Sequence, residues 1–226
     1  MIARTAMPST NLRDIRRAVS YRRHLLDAYL SWSVQLMTGD VLDLGGKRSR
    51  PRGSFRPPPD VRWRYVNLDT STSPDVIGDV TAVPLVDGVA DCIVCAEVLE
   101  HLADPIACVR EIRRLLRPNG ILIASVPFLY PIHADPIDMQ RFTPDGIRGL
   151  LRDFSHIEIH PMGGTLGTLG LLVELAGRGL TSALFRRVTF ESGRLLQWRD
   201  LRHVSGAPSR QAPALTTGYF VIAKTS

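Results

Sequence analysis

The chain has few of the features that mark secreted or membrane-spanning proteins. It contains 3 cysteines in 226 residues, too few for the disulfide framework of a small secreted domain. No apolar run comes near the roughly 20 residues that span a bilayer, and the N-terminus has no apolar leader segment. These absences predict a cytoplasmic protein, and a hydrophobic content of 44% is enough to bury a core.

Lysine is also scarce, since Lys47 and Lys224 stand against 26 arginines. The charge is unevenly distributed: residues 1–64 hold 13 basic and 5 acidic groups, residues 65–154 hold 7 and 13, and residues 155–226 hold 8 and 4. A protein whose whole surface binds nucleic acid would be basic throughout and would not have an acidic middle segment, so no nucleic-acid partner is predicted. The pattern predicts a carboxylate-bearing site in the middle and basic ends that face an anionic acceptor or a membrane surface.

Apolar periodicity divides the chain into four parts. Residues 1–38 form an N-terminal amphipathic helical segment, with the helix itself predicted over residues 9–37. Residues 39–160 alternate short apolar runs with helical segments, which predicts a core built on a parallel sheet. Residues 161–215 interrupt this alternation, and residues 216–226 supply a final strand. Strands are expected at residues 41–44, 64–68, 75–78, 90–95, 121–126, 155–160 and 219–223.

Local signals predict where helices start and which faces they expose. Asp104 and Thr143 are each followed by proline, and both predict a helix start because Asp or Thr caps the N-terminus and proline suits the first helical position. In the N-terminal helix the arginines, among them Arg22 and Arg23, are expected on the solvent face.

In an open α/β sheet, ligands bind beyond the carboxyl ends of the strands, and this chain places glycines and carboxylates there. Glycines after the first strand let the backbone approach a ligand closely. A carboxylate after the second strand can accept hydrogen bonds from two ribose hydroxyls, and one after the third can accept from an amino group. The pattern predicts a site for a nucleoside without a tightly held phosphate. The residues concerned are Asp43, Gly45, Gly46, Asp69, Asp79, Val80, Ala96 and Glu97.

Four stretches carry a resemblance to a known family. VLDLGG at residues 41–46, Asp69, GDVTAVPLVDGVADCIVCAEVLEHLADP at residues 78–105 and LLRPNGILIASVP at residues 115–127 resemble, in this order, the Rossmann-like (class I) SAM-dependent methyltransferases of the type 11-like family. The resemblance covers about residues 40–160. It implies an α/β, doubly wound, mostly parallel seven-stranded sheet with an antiparallel last strand, and S-adenosyl-L-methionine (SAM) as the cofactor.

The resemblance implies that Asp43 and the backbone of Gly45 and Gly46 hold the amino-acid end of SAM. One departure concerns the same turn. The family usually continues with further glycines, whereas here the bulky basic run of residues 47–49 follows.

The resemblance assigns the remaining edge residues to the rest of the cofactor. Asp69 would bind the ribose hydroxyls. Asp79 would meet the adenine amino group, with Val80 against the ring. Ala96 and Glu97 would line the methionine end.

Other chemistries fit the sequence less well. A nicotinamide cofactor needs the spacing G-x-G-x-x-G before a helix, which GGKRSR at residues 45–50 lacks. The N-P-P-Y-type signature of amino-group methylases is also missing. Cys92 and Cys95 spell C-x-x-C, but residues three apart in a strand point to opposite faces, so we expect them, like Cys108, to be buried apolar side chains.

The loop after the fifth strand concentrates ionisable side chains. A hydroxyl acceptor loses its proton as the C–O bond forms, and histidine is suited to take it near neutral pH. We predict His133 as the base, oriented by Asp135 or Asp138. The resemblance to the family implies that the region of His101 approaches the transferred methyl group. The structural alternatives are that Asp138 pairs with Arg141 and that the histidines fix their turns by hydrogen bonds. The loop matches no recognised metal-ligand spacing, so no metal site is predicted.

Residues 161–215 begin apolar and glycine-rich and end basic. The apolar part is too interrupted to span a bilayer, but it suits a segment that lies on a membrane or covers a hydrophobic pocket. A substrate lid or a homodimer surface fits the same composition. Relatives of the family that are associated with polysaccharide assembly carry an apolar insertion here, which implies a small-molecule or glycosyl acceptor that is anionic or lipid-linked.

The resulting hypothesis is a SAM-dependent methyltransferase that O-methylates a sugar, a lipid-linked glycan or a secondary metabolite, in polysaccharide or natural-product biosynthesis. The competing hypothesis is a catalytically weak methyltransferase-like protein that its basic ends recruit to a membrane or a biosynthetic complex. The two differ in whether SAM turnover in solution survives replacement of Arg13, Arg16 and Arg17.

Overall fold

The computed structural model describes residues 20–49, 53–204 and 215–226. Seven strands form one sheet in the order β3-β2-β1-β4-β5-β7-β6. Neighbouring strands pair in parallel except that β7 runs antiparallel to both β5 and β6. This confirms the predicted mostly parallel sheet with an antiparallel last strand. The strands are β1 (Asp40–Leu44), β2 (Arg62–Asn67), β3 (Val76–Ile77), β4 (Ala90–Ala96), β5 (Leu116–Pro127), β6 (His156–Pro161) and β7 (Gly218–Lys224).

Two helix starts follow from the predicted caps. The side chain of Asp104 accepts a hydrogen bond from the backbone N–H of Ala107 at 2.9 Å, and that of Thr143 accepts from Gly146 N–H at 3.1 Å. Both predictions are confirmed, and each cap satisfies a donor that the first turn leaves unpaired. The helices are α1 (Tyr21–Trp32), α2 (Pro105–Leu115), α3 (Pro144–Leu150), α4 (Thr165–Arg178) and α5 (Ala183–Val204).

The sheet separates two apolar clusters. One face packs against α2 and α3, and the other packs against α1. Because side chains alternate along a strand, Cys95 lies in the first cluster and Cys92 in the second. Both are free thiols, as is the buried Cys108. The prediction that the C-x-x-C pair does not act together is therefore confirmed.

The N-terminal helix differs from its prediction in two ways. It begins at Tyr21, where the hydroxyl of Ser20 caps it by accepting from Arg23 N–H at 3.1 Å. The earlier part of the predicted helix, residues 9–19, lies outside the described residues. The expectation that its arginines face solvent is wrong for Arg22, which is 3% exposed because a carboxylate at the sheet edge draws its guanidinium inward.

Residues 161–215 contain the helices α4 and α5, which pack against each other. A Cβ on Gly170 would lie 2.5 Å from the carbonyl oxygen of Gly193, and a Cβ on Gly193 equally close to that of Gly170. The glycines of this segment therefore let two helix backbones approach closely. Within the described residues, no helix is both long and apolar enough to cross a membrane.

Candidate functional site

The turn after β1 has a backbone conformation and a close packing that only glycine fits. Gly45 has φ +76°, and a Cβ there would lie 2.7 Å from Cγ2 of Val98. At Gly46 a Cβ would lie 2.4 Å from the carboxyl carbon of Asp43. The amide of Asn67 donates to both glycine carbonyls, at 3.2 and 3.0 Å, and so fixes the turn. Side chains are excluded at both positions, and the peptide backbone forms the surface there.

The basic run after this turn is tied to its neighbours. Lys47 Nζ lies 2.8 Å from the carboxylate of Asp135, and Arg48 pairs with Asp75. Ser49 donates its backbone N–H to Thr72 O at 3.1 Å. The departure from the family pattern therefore leaves the two glycines in place, and its basic side chains engage acids on adjacent loops.

The acids after β2 and β3 both lie at the exposed edge and cap their own turns. Asp69 accepts from the backbone N–H of Ser71 at 2.9 Å, and Asp79 accepts from the N–H and the hydroxyl of Thr81 at 2.8 and 2.7 Å. Val80 is buried beside Asp79. These bonds hold each carboxylate in one orientation at the carboxyl end of its strand.

Asp43, near the end of β1, lies beneath the glycine turn. Burial raises the pKa of Asp43 to about 7, against the opposing influence of Trp63 and Arg23. A carboxyl group in this state favours a cationic partner, because a nearby positive charge offsets the loss of water around the carboxylate.

Glu97 follows β4 and is held by Arg22 from α1, a contact that the sequence did not reveal. The guanidinium donates two hydrogen bonds to the carboxylate, from Nε at 2.8 Å and Nη2 at 2.6 Å, and Ser125 Oγ donates a third at 2.8 Å. Burial acts to raise the pKa of Glu97, but Arg22, with Ser125 and His133, outweighs it, so that the pKa of Glu97 lies below its ordinary value. Ala96, which precedes it, is half-buried at the end of β4.

Arg22 also ties the site to the last strand. Its Nη1 donates to the carbonyl oxygen of Thr217 at 2.8 Å, just before β7. Its guanidinium lies 5.3 Å from the ring centre of Tyr130, and that ring contacts His133 edge-on at 5.3 Å. A continuous wall of side chains therefore runs from Glu97 to the loop after β5.

Two histidines and one glutamate converge beside this wall. Nε2 of His133 lies 3.5 Å from Oε1 of Glu100, and Nε2 of His101 lies 3.7 Å from the same oxygen. The imidazole rings meet edge to face, with centres 5.2 Å apart. The contact with Glu100 raises the pKa of His133 above its ordinary value, although burial acts against it. The structure thus brings together the two predicted catalytic histidines.

The predicted acidic partners of His133 separate in the structure. Asp138 accepts from the backbone N–H of His133 at 2.9 Å and has a carboxylate oxygen 3.4 Å from its Nδ1, while Arg141 binds the same carboxylate. Asp135 instead pairs with Lys47. Of the two predicted partners, Asp138 is thus the one that lies beside His133, and its hydrogen bond is to the backbone N–H. The structural alternative for Asp138, a pair with Arg141, is present at the same time.

Sequence reasoning did not single out Arg22 or assign a role to Glu100. A weak signal existed for Arg22, since it adjoins Tyr21 on the helix face that carries the buried Leu25 and Leu26. No pattern in the chain indicated that Glu100 would be fully buried, because its burial depends on how the loop after β5 covers it.

Comparison with known proteins agrees with this architecture. Residues 60–124 match the family model described as a methyltransferase domain. The chain is 32% identical over 126 residues to an uncharacterized 37.1 kDa protein of a Streptomyces fradiae transposon, covering 49% of this chain and 35% of that protein. It is 37% identical over 67 residues to a probable S-adenosylmethionine-dependent methyltransferase of Mycolicibacterium smegmatis, covering 30% of this chain and 24% of that one. The chain thus spans about a third or less of the length of these relatives.

Among solved structures, a SAM-dependent methyltransferase from Archaeoglobus fulgidus superposes with a TM-score of 0.55 at 16% identity, covering 90% of this chain and 94% of that one. This likeness shows the fold, and the family model extends from β2 into β5 within it. The fold of this chain is therefore that of the class I SAM-dependent methyltransferases.

Proposed function

We propose that the protein transfers a methyl group from SAM to a hydroxyl group of a small-molecule or glycosyl acceptor. The observation that carries this proposal is the adjacency, along one sheet edge, of a glycine turn with acids on successive strands and of the His101–His133 pair. The first set suits a nucleoside with a cationic amino-acid tail, and the second suits an acceptor hydroxyl.

The residues of the edge fit SAM on several grounds. Side chains are excluded from the turn at Gly45 and Gly46, which leaves backbone for the amino-acid end to approach. The half-buried Asp43 would gain a partner in the ammonium group. Asp69 would take the ribose hydroxyls, Asp79 with Val80 the adenine, and Ala96 with Glu97 the methionine end. When bound, SAM supplies a methyl group on a sulfonium that needs no acid to leave. The backbone of the glycine turn and the carboxylates of the edge acids would orient the methyl group.

His133 is our candidate for removing the acceptor proton. The side chain is 28% exposed, and Asp138 and Glu100 face its two ring nitrogens. His101 lies against it and would shape the same pocket. Asp135, bound to Lys47, would act by holding the loop over the glycine turn.

The nature of the acceptor is proposed from the surface of α4 and α5. Arg186 and Arg187 are exposed there among large apolar side chains. This combination supports an anionic or lipid-linked acceptor, such as a sugar on a lipid carrier, and peripheral contact with a membrane. The exposed apolar residues are Leu166, Leu169, Leu172, Leu180, Leu184, Phe185, Val188, Phe190 and Leu195.

The first test is direct binding of SAM and S-adenosylhomocysteine by calorimetry, followed by transfer of labelled methyl groups to aqueous and lipid-extracted acceptor pools. His133→Ala is expected to lower turnover by about 100-fold or more, the range for loss of a general base, while the Kd for SAM changes little. His156→Ala is the matched control, because His156 lies on the outer strand β6 beside Glu158. Equal loss of turnover and SAM affinity in His133→Ala would show a structural role, and absence of SAM binding by the wild type would refute the proposal.

A second prediction concerns pH. Because the pKa of Asp43 is about 7 instead of 3.8, this carboxyl is protonated in the folded protein over a range in which it is charged in the unfolded chain. We expect SAM affinity to weaken as pH falls below 7, approaching about tenfold per pH unit. Asp43→Asn should bind SAM less tightly at pH 8 and lose the dependence between pH 5 and 7. Calorimetry on both proteins measures this, and identical pH profiles would contradict it.

A further inference from the structure

Glu100 is the buried charge that the methyl-transfer proposal leaves without an explanation. Its side chain is 0% exposed, and neither carboxylate oxygen has a hydrogen-bond partner among the described residues. Its acidic neighbours are compensated, since Arg22 binds Glu97 and Arg141 binds Asp138. A buried carboxylate without such a partner is strongly destabilising, so this position calls for a proton or a cation.

The two histidines present their free ring nitrogens to this carboxylate. Nδ1 of His101 faces the carbonyl oxygen of Ile137, and Nδ1 of His133 faces the carboxylate of Asp138. Acceptors at Nδ1 favour the tautomer that carries its hydrogen there and leaves a lone pair on Nε2. Both Nε2 atoms lie against Oε1 of Glu100, at 3.7 and 3.5 Å. In that tautomer, three electron-pair donors converge on one point.

We propose that Glu100, His101 and His133 bind a divalent transition-metal ion of the zinc type. Two histidines and one glutamate are the ligands of a catalytic zinc site, which keeps a fourth position open. Bonds of about 2.0–2.1 Å in a tetrahedral site place ligand atoms about 3.3–3.4 Å apart, so the two distances from Glu100 to the histidines, 3.5 and 3.7 Å, require contraction by a few tenths of an ångström. The three ligand atoms lie within 4.8 Å of one another.

The surroundings of the three residues match an open site. His101 and His133 have side chains 12% and 28% exposed, while Glu100 is closed off behind them. Asp138 and the Ile137 carbonyl are the outer partners that orient metal-binding imidazoles in proteins. The open position would lie on the partly exposed side of the two histidines, where the proposed function places the acceptor hydroxyl.

The role of the ion rests on that proposed function. A divalent ion lowers the pKa of a hydroxyl group that it contacts. The acceptor oxygen would give its proton to solvent and form the C–O bond, while the electron pair of the broken C–S bond stays on sulfur. In this state His133 acts on the acceptor through the ion instead of as a free base.

Metal binding is testable without any acceptor. Untagged full-length protein would be stripped with a chelator and titrated with Zn²⁺ against a chromophoric competitor, and with Co²⁺ to record the visible absorption of the site. We expect one equivalent bound, with the bands of a four- or five-coordinate Co²⁺. His101→Ala and Glu100→Gln should each weaken Zn²⁺ binding by at least about 100-fold. Loss of a residue that only hydrogen-bonds to a metal ligand weakens binding by no more than about this factor. His156→Ala, at an exposed histidine beside Glu158, should bind like the wild type.

The outcomes separate this inference from the proposed function when SAM binding is measured on the same samples. Wild-type protein that binds no more Zn²⁺ than His101→Ala overturns the metal site, even if SAM still binds, and leaves His133 as a free base. A second outcome would also overturn the metal site. If the wild type binds no metal and the Glu100→Gln variant melts at a higher temperature than the wild type, a proton neutralises Glu100 in place of a metal ion. Stoichiometric metal without SAM binding would support the metal site and refute the proposed function.

Discussion

Arg22→Met is expected to lower the free energy of unfolding by about 3–5 kcal/mol, the usual effect of removing one partner from a buried ion pair. The substitution keeps most of the side-chain length but leaves Glu97, whose side chain is only 17% exposed, without the guanidinium that binds both of its oxygens. It also removes the bond to the Thr217 carbonyl, which anchors α1 to the start of β7. Urea denaturation at pH 7 measures the change.

Two variants make this prediction specific. Arg23→Met is the matched control, because Arg23 is adjacent, is 23% exposed and pairs with Asp27 at 3.0 Å within the same helix. Its loss should be the smaller of the two, because the carboxylate of Asp27 keeps the hydrogen bonds from the N–H and the hydroxyl of Ser54 when Arg23 is replaced. Adding Glu97→Gln to Arg22→Met should recover part of the stability, since no uncompensated charge then remains. Equal effects of Arg22→Met and Arg23→Met would mean that the pair with Glu97 contributes nothing.

Asp69→Asn is expected to weaken SAM binding by about 100-fold, which corresponds to about 2.7 kcal/mol. The reason is the loss of a charged acceptor for two ribose hydroxyls, since hydrogen bonds to a charged group contribute about 1.5–3 kcal/mol each. Asparagine can still cap the turn by accepting from the N–H of Ser71, as aspartate does at 2.9 Å. The fold should therefore retain its melting temperature while the cofactor dissociates.

Calorimetry with SAM and thermal melting without it distinguish these two effects. Asp60→Asn offers a control with the same chemical change at another exposed loop position, and it should alter neither quantity. If the Kd of Asp69→Asn stays within about threefold of the wild-type value, the loss of binding energy is smaller than one hydrogen bond to a charged group contributes. That result would mean that the ribose binds elsewhere. It would also remove the main support for the assignment of the edge acids.

Predictions based on near neighbours agreed with the structure. Asp104 and Thr143 could be predicted as helix caps because a cap needs only a side-chain oxygen and the backbone N–H of the third residue after it. No contact with a distant part of the chain is required. The opposite faces of Cys92 and Cys95 follow from strand alternation alone. Gly45 is recognisable from a local requirement, since its φ of +76° favours glycine, whereas part of the crowding at Gly45 and Gly46 comes from Val98 and Tyr65 of other elements.

Predictions that depended on distant contacts were incomplete. Periodicity placed Arg22 on a helix but assigned it to solvent, because its partner Glu97 lies 75 residues away. Asp135 and Asp138 were equal candidates to orient His133, and the path of the loop decided for Asp138 by drawing Asp135 toward Lys47.

The sequence by itself determined the core strands, the two capped helix starts, the glycine turn and the row of acids at the strand ends, because these depend on local geometry and on a strand order that chain direction restricts. Tertiary structure alone decided which charges meet. It buried Glu100 between two histidines and closed Arg22 onto Glu97, because the pairing of side chains far apart in the chain depends on packing and on the course of loops.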